Sequence, residues 1–313
     1  MRIKLVPAQS NFDFLSKGTI AGIFSILLVV SSVAVFMVKG LNLGIDFRGG
    51  ILIAAQHQSA PVDLAALRKS TAGLQLGEIS IQSFGTERDV LIRIQRQEGD
   101  EKAQIAAIQA VTAQLGADYD IRRTEFVGPT IGAELTRKGI LAVVCALFAI
   151  MVYVWFRFEW QFSIAAIIAL SHDVISTIGL FSITNFEFNL ATIAAILTIA
   201  GYSINDTVVV FDRVRENLRR YKSWEQRDIL NKSLNETLAR TVMTSVTTAL
   251  ALIAIIIFGG AVLRDFALAM LWGVTIGTYS SIFVAVGLLS RFKLNRGEED
   301  KDDETPRPEY ERA

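Results

Sequence analysis

The chain has 313 residues, with 31 basic and 31 acidic side chains, yet 51% of its residues are apolar. A net charge of zero excludes a strongly basic nucleic-acid binder, and a single cysteine, Cys145, excludes a disulfide scaffold. The apolar residues are concentrated in stretches long enough to span the ~30 Å hydrocarbon core of a bilayer, which excludes an ordinary soluble enzyme.

Six apolar stretches predict six membrane-spanning helices, because each is long enough to cross a bilayer at ~1.5 Å per residue. The only acidic or basic residues inside them are Asp173 and Asp206. The first stretch is longer than the apolar core of a secretory signal and ends without a small-residue cleavage site, so we interpret it as a retained anchor. The predicted spans are 20–38, 140–156, 162–183, 188–211, 242–263 and 266–289.

The basic residues of the loops predict which side of the membrane each loop faces, because Lys and Arg near short loops stay in the cytoplasm. The N-terminal segment 1–19, the segment 212–240 and the tail 292–313 all carry basic residues, whereas 184–187 carries none. We therefore expect a multi-pass protein with both termini in the cytoplasm and the long loop 39–139 outside.

The long loop is predicted to be a separate domain with the element order β-α-β-β-α-β. This is the order of a ferredoxin-like α+β unit, a sheet with helices on one face. The loop contains no His/Cys cluster, phosphate-binding Gly loop or Ser/His/Asp set, so we expect a binding role, no metal and no enzymatic activity. The predicted strands are 51–56, 78–84, 90–95 and 119–127, and the predicted helices are 62–72 and 101–115.

Two polar stretches complete the predicted organisation. The amphipathic segment 212–240 is helix-compatible and rich in arginine, and we expect it to lie along the cytoplasmic membrane surface, where anionic lipid attracts basic side chains. The tail 292–313 is acidic and poor in apolar residues, which predicts disorder.

Asp206 is the first candidate site residue, since a carboxylate in the hydrocarbon region costs at least ~2.5–3.5 kcal/mol unless it faces a cavity or a partner. It lies about four residues from the cytoplasmic end of the predicted fourth span, and Arg240 enters the fifth span from the same side. We interpret the pair as a protonatable site whose charge an arginine controls; the alternative is a static ion pair. A supporting polar face is predicted from Tyr202, Ser203, Asn205 and Thr207.

Asp173 is the second candidate, and it follows His172 near the middle of the third predicted span. The two side chains could relay protons, because histidine titrates near neutral pH, or they could form a structural hydrogen bond between helices. Gly273 and Gly277 form a small-xxx-small pattern that predicts close helix packing. Cys145 is expected to be a buried small apolar residue.

Several short motifs together resemble the SecD/SecF family, a split branch of the resistance-nodulation-division (RND) superfamily. One surrounds Gly44, Asp46, Phe47, Gly49 and Gly50 after the first span, and one surrounds Gly128 and Pro129 before the second. The others are His172-Asp173-Val174, Gly201 to Thr207, Asp212 to Asn217, and Arg240-Thr241.

The resemblance implies that this chain forms half of a pseudo-symmetric bundle, with SecD as the other half. It further implies that the pair works with the SecYEG channel and other translocase accessory subunits in a bacterial inner membrane. There, protons as the coupling ion, with no cofactor, drive movements that assist the export of unfolded polypeptide. The family's important carboxylate and arginine correspond to Asp206 and Arg240. Two alternatives stay open: half of an RND-type proton-coupled efflux transporter for small molecules or lipids, and a passive scaffold.

Overall fold

Six helices in the described part of the computed structural model are long and apolar enough to cross a membrane, which confirms the predicted fold class. The structure describes residues 10–77, 79–99 and 101–296, so most of the predicted acidic tail lies outside the described residues. The helices are α1 (Gly18–Lys39), α5 (Pro129–Arg157), α6 (Trp160–Thr184), α7 (Leu190–Arg220), α8 (Gln226–Phe258) and α9 (Gly260–Tyr279). A π-helical turn (Ser280–Ala285) and α10 (Val286–Leu289) continue α9.

The six helices divide into a buried set and a peripheral set. In the apolar part of each helix, most residues of α6 and about half of those of α7 and of α9 with its continuation are buried inside the protein, whereas fewer than a fifth are buried in α1, α5 and α8. Cys145 lies on peripheral α5 and is exposed, so the expectation that it is buried is wrong. A membrane helix has an apolar sequence whether it lies in the centre of the bundle or at its periphery. The apolar residues around Cys145 therefore do not predict which position α5 has.

The helix ends differ from the predicted spans on both sides of the membrane. The helix α5 begins at Pro129, eleven residues before the predicted span at 140, because Gly128 precedes a proline in the first helical position. At the other side, 212–240 is not a separate surface helix. It forms the far ends of α7 and α8, joined by a turn at 221–225.

Polar contacts explain why these far ends pack on each other. The Asn217 side chain donates to Ser233 Oγ at 3.0 Å, and Arg213 forms an ion pair with Glu236 at 2.6 Å. Trp224 in the connecting turn is buried and stacks on Tyr221 at 4.4 Å between ring centroids. The charges that suggested a membrane-surface helix therefore include several that pair within the protein.

An inserted domain (residues 50–127) lies at one end of the bundle, called here the domain end. Its strands form one antiparallel sheet in the order β3-β4-β2-β5, the arrangement of the predicted ferredoxin-like unit. Residues such as Ile53, Ile92 and Val111 form its core between the sheet and two helices. The elements are β2 (Gly50–His57), α3 (Leu64–Ala72), β3 (Ile79–Phe84), β4 (Thr86–Ile94), α4 (Glu101–Leu115) and β5 (Tyr119–Val127).

The segment between α1 and β2 joins the domain to the bundle. Its first part, β1 (Asn42–Leu43), pairs in parallel with β6 (Glu187–Phe188), the short strand between α6 and α7. A helical turn, α2 (Ile45–Arg48), follows and contains Asp46 and Phe47. Gly49 and Gly50 then have φ angles of 71° and 125°, which other residues rarely adopt, so they let the chain turn sharply into the sheet.

Candidate functional site

Asp173 lies at the centre of a hydrogen-bonded network that joins three helices. Its side chain on α6 is fully buried and accepts hydrogen bonds from Ser203 on α7 at 2.5 Å and Ser280 in the π-helical turn at 2.7 Å. The other carboxylate oxygen lies 2.9 Å from His172 Nδ1. Both oxygens of Asp173 therefore have partners, and the carboxylate joins the three helices that form the interior of the bundle.

His172 has one ring nitrogen in this network and one outside it. Its side chain is 4% exposed, and while Nδ1 faces Asp173, Nε2 is buried without a hydrogen-bond partner among the described residues. The ring packs near Tyr279, with 6.1 Å between centroids. The nearest hydrogen-bond partner of Asp173 on its own helix is therefore an imidazole whose second nitrogen is unsatisfied.

Asp206 on α7 has a very different environment. The residue is 3% exposed, and its Oδ2 atom is buried with no hydrogen-bond partner in the part of the chain that the structure describes. Arg240 on neighbouring α8 supplies the positive charge that acts on it. Buried polar groups are almost always hydrogen-bonded, so the unpaired oxygen sets Asp206 apart from Asp173 and makes it a candidate site residue.

Two more unsatisfied hydroxyl groups lie on the same pair of helices. Tyr202 Oη is one turn from Asp206 on α7, and Thr241 Oγ1 is next to Arg240 on α8; both are buried without a partner among the described residues. The polar atoms near Asp206 are therefore incompletely satisfied, whereas both carboxylate oxygens of Asp173 accept hydrogen bonds.

The predicted polar face on α7 does not lie on one side of the helix. Ser203 and Thr207 are buried and bond to Asp173 and to Ser281 Oγ (2.9 Å), whereas Asn205 is exposed. Residues three and four apart share a helix face, so Asn205 points away from Ser203 and Thr207 is on its side. The single predicted face is thus divided between the interior network and the outer surface of the bundle.

The glycines of α9 lie against α7. A Cβ atom at position 277 would lie 3.1 Å from Ser203 Cβ, tighter than most real contacts, and Gly273 lies directly against Ile199. This close approach brings the π-helical turn, with Ser280 and Ser281, within hydrogen-bonding distance of α6 and α7. Sequence reasoning missed both serines, although a Ser-Ser pair inside an apolar span was an available signal.

Asp206 lies inside the apolar part of a helix that extends well beyond it. The 31 residues of α7 span about 46 Å at 1.5 Å per residue, more than a bilayer core. Asp212, six residues further along, forms an exposed ion pair of 2.7 Å with Arg157 and so marks a polar boundary. Asp206 is therefore about 9 Å inside that boundary.

Two family models match this chain. The model described as protein export membrane protein SecD/SecF, C-terminal, matches residues 107–295, and the SecD/SecF GG motif model matches residues 34–56. The chain belongs to the SecD/SecF family. Gly49 and Gly50, whose φ angles turn the chain into the sheet, lie within the GG-motif match.

Curated relatives match the chain over nearly its whole length, and each is named protein translocase subunit SecF. The protein of Cereibacter sphaeroides is 43% identical, covering 96% of this chain and 95% of the relative. That of Rhodobacter capsulatus is 44% identical with the same coverage, and that of Rickettsia rickettsii is 42% identical, covering 94% of this chain and 96% of the relative.

Two solved SecDF structures share the fold. The crystal structure of the translocon-associated SecDF from Thermus thermophilus is 36% identical and matches with a TM-score of 0.83 over 92% of this chain. A SecDF structure described as the super-membrane-facing form, also 36% identical, matches with a TM-score of 0.67 over 93% of this chain. This chain spans 40% and 39% of those two chains, so most of each has no counterpart here.

Proposed function

We propose that this chain is a SecF-type subunit that pairs with SecD and uses proton flow to assist export of unfolded polypeptide through the SecYEG channel. The observation that carries the proposal is the carboxylate of Asp206, which is buried in the membrane bundle with an unsatisfied oxygen and with Arg240 as its charged neighbour. A group of this kind exchanges protons more readily than one fully occupied by hydrogen bonds.

The energy available to such a group is adequate for a mechanical role. Moving one elementary charge through 100 mV corresponds to ~2.3 kcal/mol, which matches the few kcal/mol that separate two conformations of a protein. When Asp206 is ionised, attraction to Arg240 favours closing α7 on α8. When it is protonated, that attraction is lost and the helices can separate. Proton binding is thereby converted into a movement of α7.

Two further observations support this proposal. The solved SecDF chains contain more than twice the length of this chain, as expected if a SecD-like half is fused in them and separate here. On α7, Gly201 and Asn205 are exposed within the span, where a partner half can pack. The two SecDF structures also match this chain with unequal TM-scores at equal identity, which is consistent with a mobile arrangement.

The proposal also states which membrane contains the chain and which side of it the termini and the inserted domain face. We place the chain in a bacterial inner membrane with both termini in the cytoplasm and the inserted domain outside, because most basic residues beyond the inserted domain lie at the opposite end of the bundle. Arg157, Arg219 and Arg220 lie there, and the exposed residues among them also suit anionic lipid. Protons are the only coupling species required, and no cofactor is assigned.

The decisive experiment replaces Asp206 by asparagine in the complex with SecD. We expect Asp206→Asn to abolish proton-dependent export in vesicles under an imposed proton gradient, while the complex still assembles. The matched control is Asp212→Asn, which removes an exposed carboxylate from the same helix. Export at the normal rate in Asp206→Asn vesicles would favour a passive scaffold, and equal losses in both variants would also contradict the proposal.

A further inference from the structure

An ion pair joins the inserted domain to the bundle at the domain end. Arg93 on β4 bonds to Glu187 on β6, and their side chains are only 13% and 11% exposed. By contrast, the Arg123–Glu125 pair on β5 of the same sheet is 43% and 32% exposed. Exposed ion pairs contribute little, whereas removing one partner of a buried pair leaves an uncompensated charge.

The surroundings hold Glu187 in one position. Arg93 also donates to Asn42 Oδ1 at 3.3 Å, so the guanidinium contacts both strands of the small β1–β6 sheet. Gly44 leaves the necessary space, because a Cβ atom at this position would lie 2.5 Å from Glu187 Oε1. A glycine at position 44 thus leaves room for the Glu187 carboxylate beside Arg93.

Other charges around the pair make Arg93 difficult to replace. The negative charges of Asp46 and Asp265 repel that of Glu187. The positive charges of Arg93 and Arg264 attract Asp265. Burial raises the pKa of Glu187, Arg93 opposes the rise, and the two aspartates add to it. Without Arg93, three carboxylates would remain close together at the domain end.

The pair is also connected directly to the first turn of α7. Asn189 caps this helix by accepting from the Thr192 backbone at 3.0 Å, and the Thr192 hydroxyl donates to the Glu187 carbonyl oxygen at 3.2 Å. Asp46 Oδ2 accepts the backbone N–H of Leu190 at 2.9 Å. The start of α7 is therefore held by hydrogen bonds to the segment that carries Glu187 and to the turn that precedes the sheet.

We propose that the Arg93–Glu187 pair is the latch that transmits movement of α7 to the inserted domain. The helix that carries Asp206 begins three residues after Glu187, and Arg93 fixes that beginning to a central strand of the sheet. The pair positions the domain rather than taking part in proton transfer. This inference rests on the proposed function, because a latch matters only if α7 moves.

The test measures domain position and export separately, in the full chain with its SecD partner. Spin labels at exposed Lys69 on α3 and Thr184 at the end of α6, introduced as Lys69→Cys and Thr184→Cys in a Cys145→Ser background, report the distance between domain and bundle. Arg93→Ala is compared with Arg123→Ala, its exposed control. We expect a narrow distance distribution in the parent and in Arg123→Ala, and a broad one in Arg93→Ala.

Export should follow the same order. We expect a loss of about tenfold in Arg93→Ala and little change in Arg123→Ala. Arg93→Lys keeps the charge and should retain part of both signals, and Glu187→Gln added to Arg93→Ala should cause little further loss. If Arg93→Ala does not assemble, Arg93→Lys and Glu187→Gln alone carry the comparison.

The outcomes distinguish this inference from the function on which it rests. A narrow distance distribution in Arg93→Ala, or a broad one with normal export, would overturn the latch while leaving the role of Asp206 intact. Normal export in Asp206→Asn would instead remove the proposed function, whatever the spin-label distances show.

Discussion

The two acidic residues buried in the membrane bundle occupy opposite kinds of environment. Asp173 accepts hydrogen bonds from two serines and lies against His172, so both of its oxygens are occupied. Asp206 is almost as buried, yet one of its oxygens has no partner among the described residues, and its counter-charge lies on another helix. Burial alone therefore does not distinguish the two residues, whereas the completeness of their hydrogen bonding does.

This difference suggests a division of roles. A fully bonded carboxylate fixes the relative positions of α6, α7 and the π-helical turn, because changing any partner leaves a buried polar group unsatisfied. An incompletely bonded carboxylate can change its charge without dismantling the core. We therefore propose a structural role for Asp173 and a coupling role for Asp206. For Asp173, this favours the structural hydrogen bond over the proton relay with His172.

The largest expected effect on stability comes from Asp173→Ala. It leaves the hydroxyls of Ser203 and Ser280 without their acceptor, at roughly 1–3 kcal/mol for each buried group. We expect thermal unfolding in detergent to show a loss of several kcal/mol and the yield of the complex to fall. Asp206→Asn should unfold within about 1 kcal/mol of the parent. Equal destabilisation by both substitutions would contradict the difference in role proposed for Asp173 and Asp206.

Substitutions of Arg240 test whether its positive charge controls Asp206. Arg240→Ala should reduce proton-dependent export almost as far as Asp206→Asn, whereas Arg240→Lys should keep part of it, because lysine retains the charge but not the planar guanidinium. Export rates in vesicles measure both. Full activity of the two variants would argue against control of Asp206 by a charged partner.

Glu187 should make stability depend on pH at the domain end. Burial raises its pKa, so in the folded protein this carboxyl keeps its proton at a pH where an unfolded chain has lost it. Its contribution to the free energy of unfolding is therefore greatest at low pH and falls as the pH rises through the interval between the two pKa values. Glu187→Gln should reduce this slope in thermal unfolding measured from about pH 4 upward. An unchanged slope would contradict the assignment.

Asp13 should have the smallest effect on stability, and its pH dependence should be opposite to that of Glu187. Burial works to raise its pKa, but hydrogen bonds from Asn231 (2.7 Å) and Ser16 together with Arg227 lower the pKa overall. Its stabilisation is thus present above the unfolded pKa and is lost as the pH falls through the lowered one. We expect Asp13→Asn to cost about 1 kcal/mol near neutral pH and less in acid. A cost that is larger in acid would show the sign to be wrong.

The sequence predicted the elements of the fold well because membrane spans and alternating strands leave strong local patterns. The six spans and the β-α-β-β-α-β order followed from apolar length and periodicity. The helix ends did not, since α7 continues to Arg220 through contacts with α8 such as Asn217 to Ser233, which are remote in sequence. Local composition cannot report such contacts.

The site was predictable in part for the same reason. Charged residues inside apolar spans identified Asp173 and Asp206, but their difference depends on partners supplied by other helices. Ser280 completes the Asp173 network from 107 residues away, and Arg93 meets Glu187 from 94 residues away. Neither pairing is visible in the local sequence, so the hydrogen-bonded network around Asp173 and the Arg93–Glu187 ion pair became visible only in three dimensions.

The most direct test of the account is an infrared pH titration of the protonated carboxyl band in the assembled complex, compared between Asp206→Asn and Asp173→Asn. The account predicts that one component of this band, which grows as the pH is lowered, is lost in Asp206→Asn and retained in Asp173→Asn. An unchanged band in Asp206→Asn, with a component lost in Asp173→Asn instead, would contradict it.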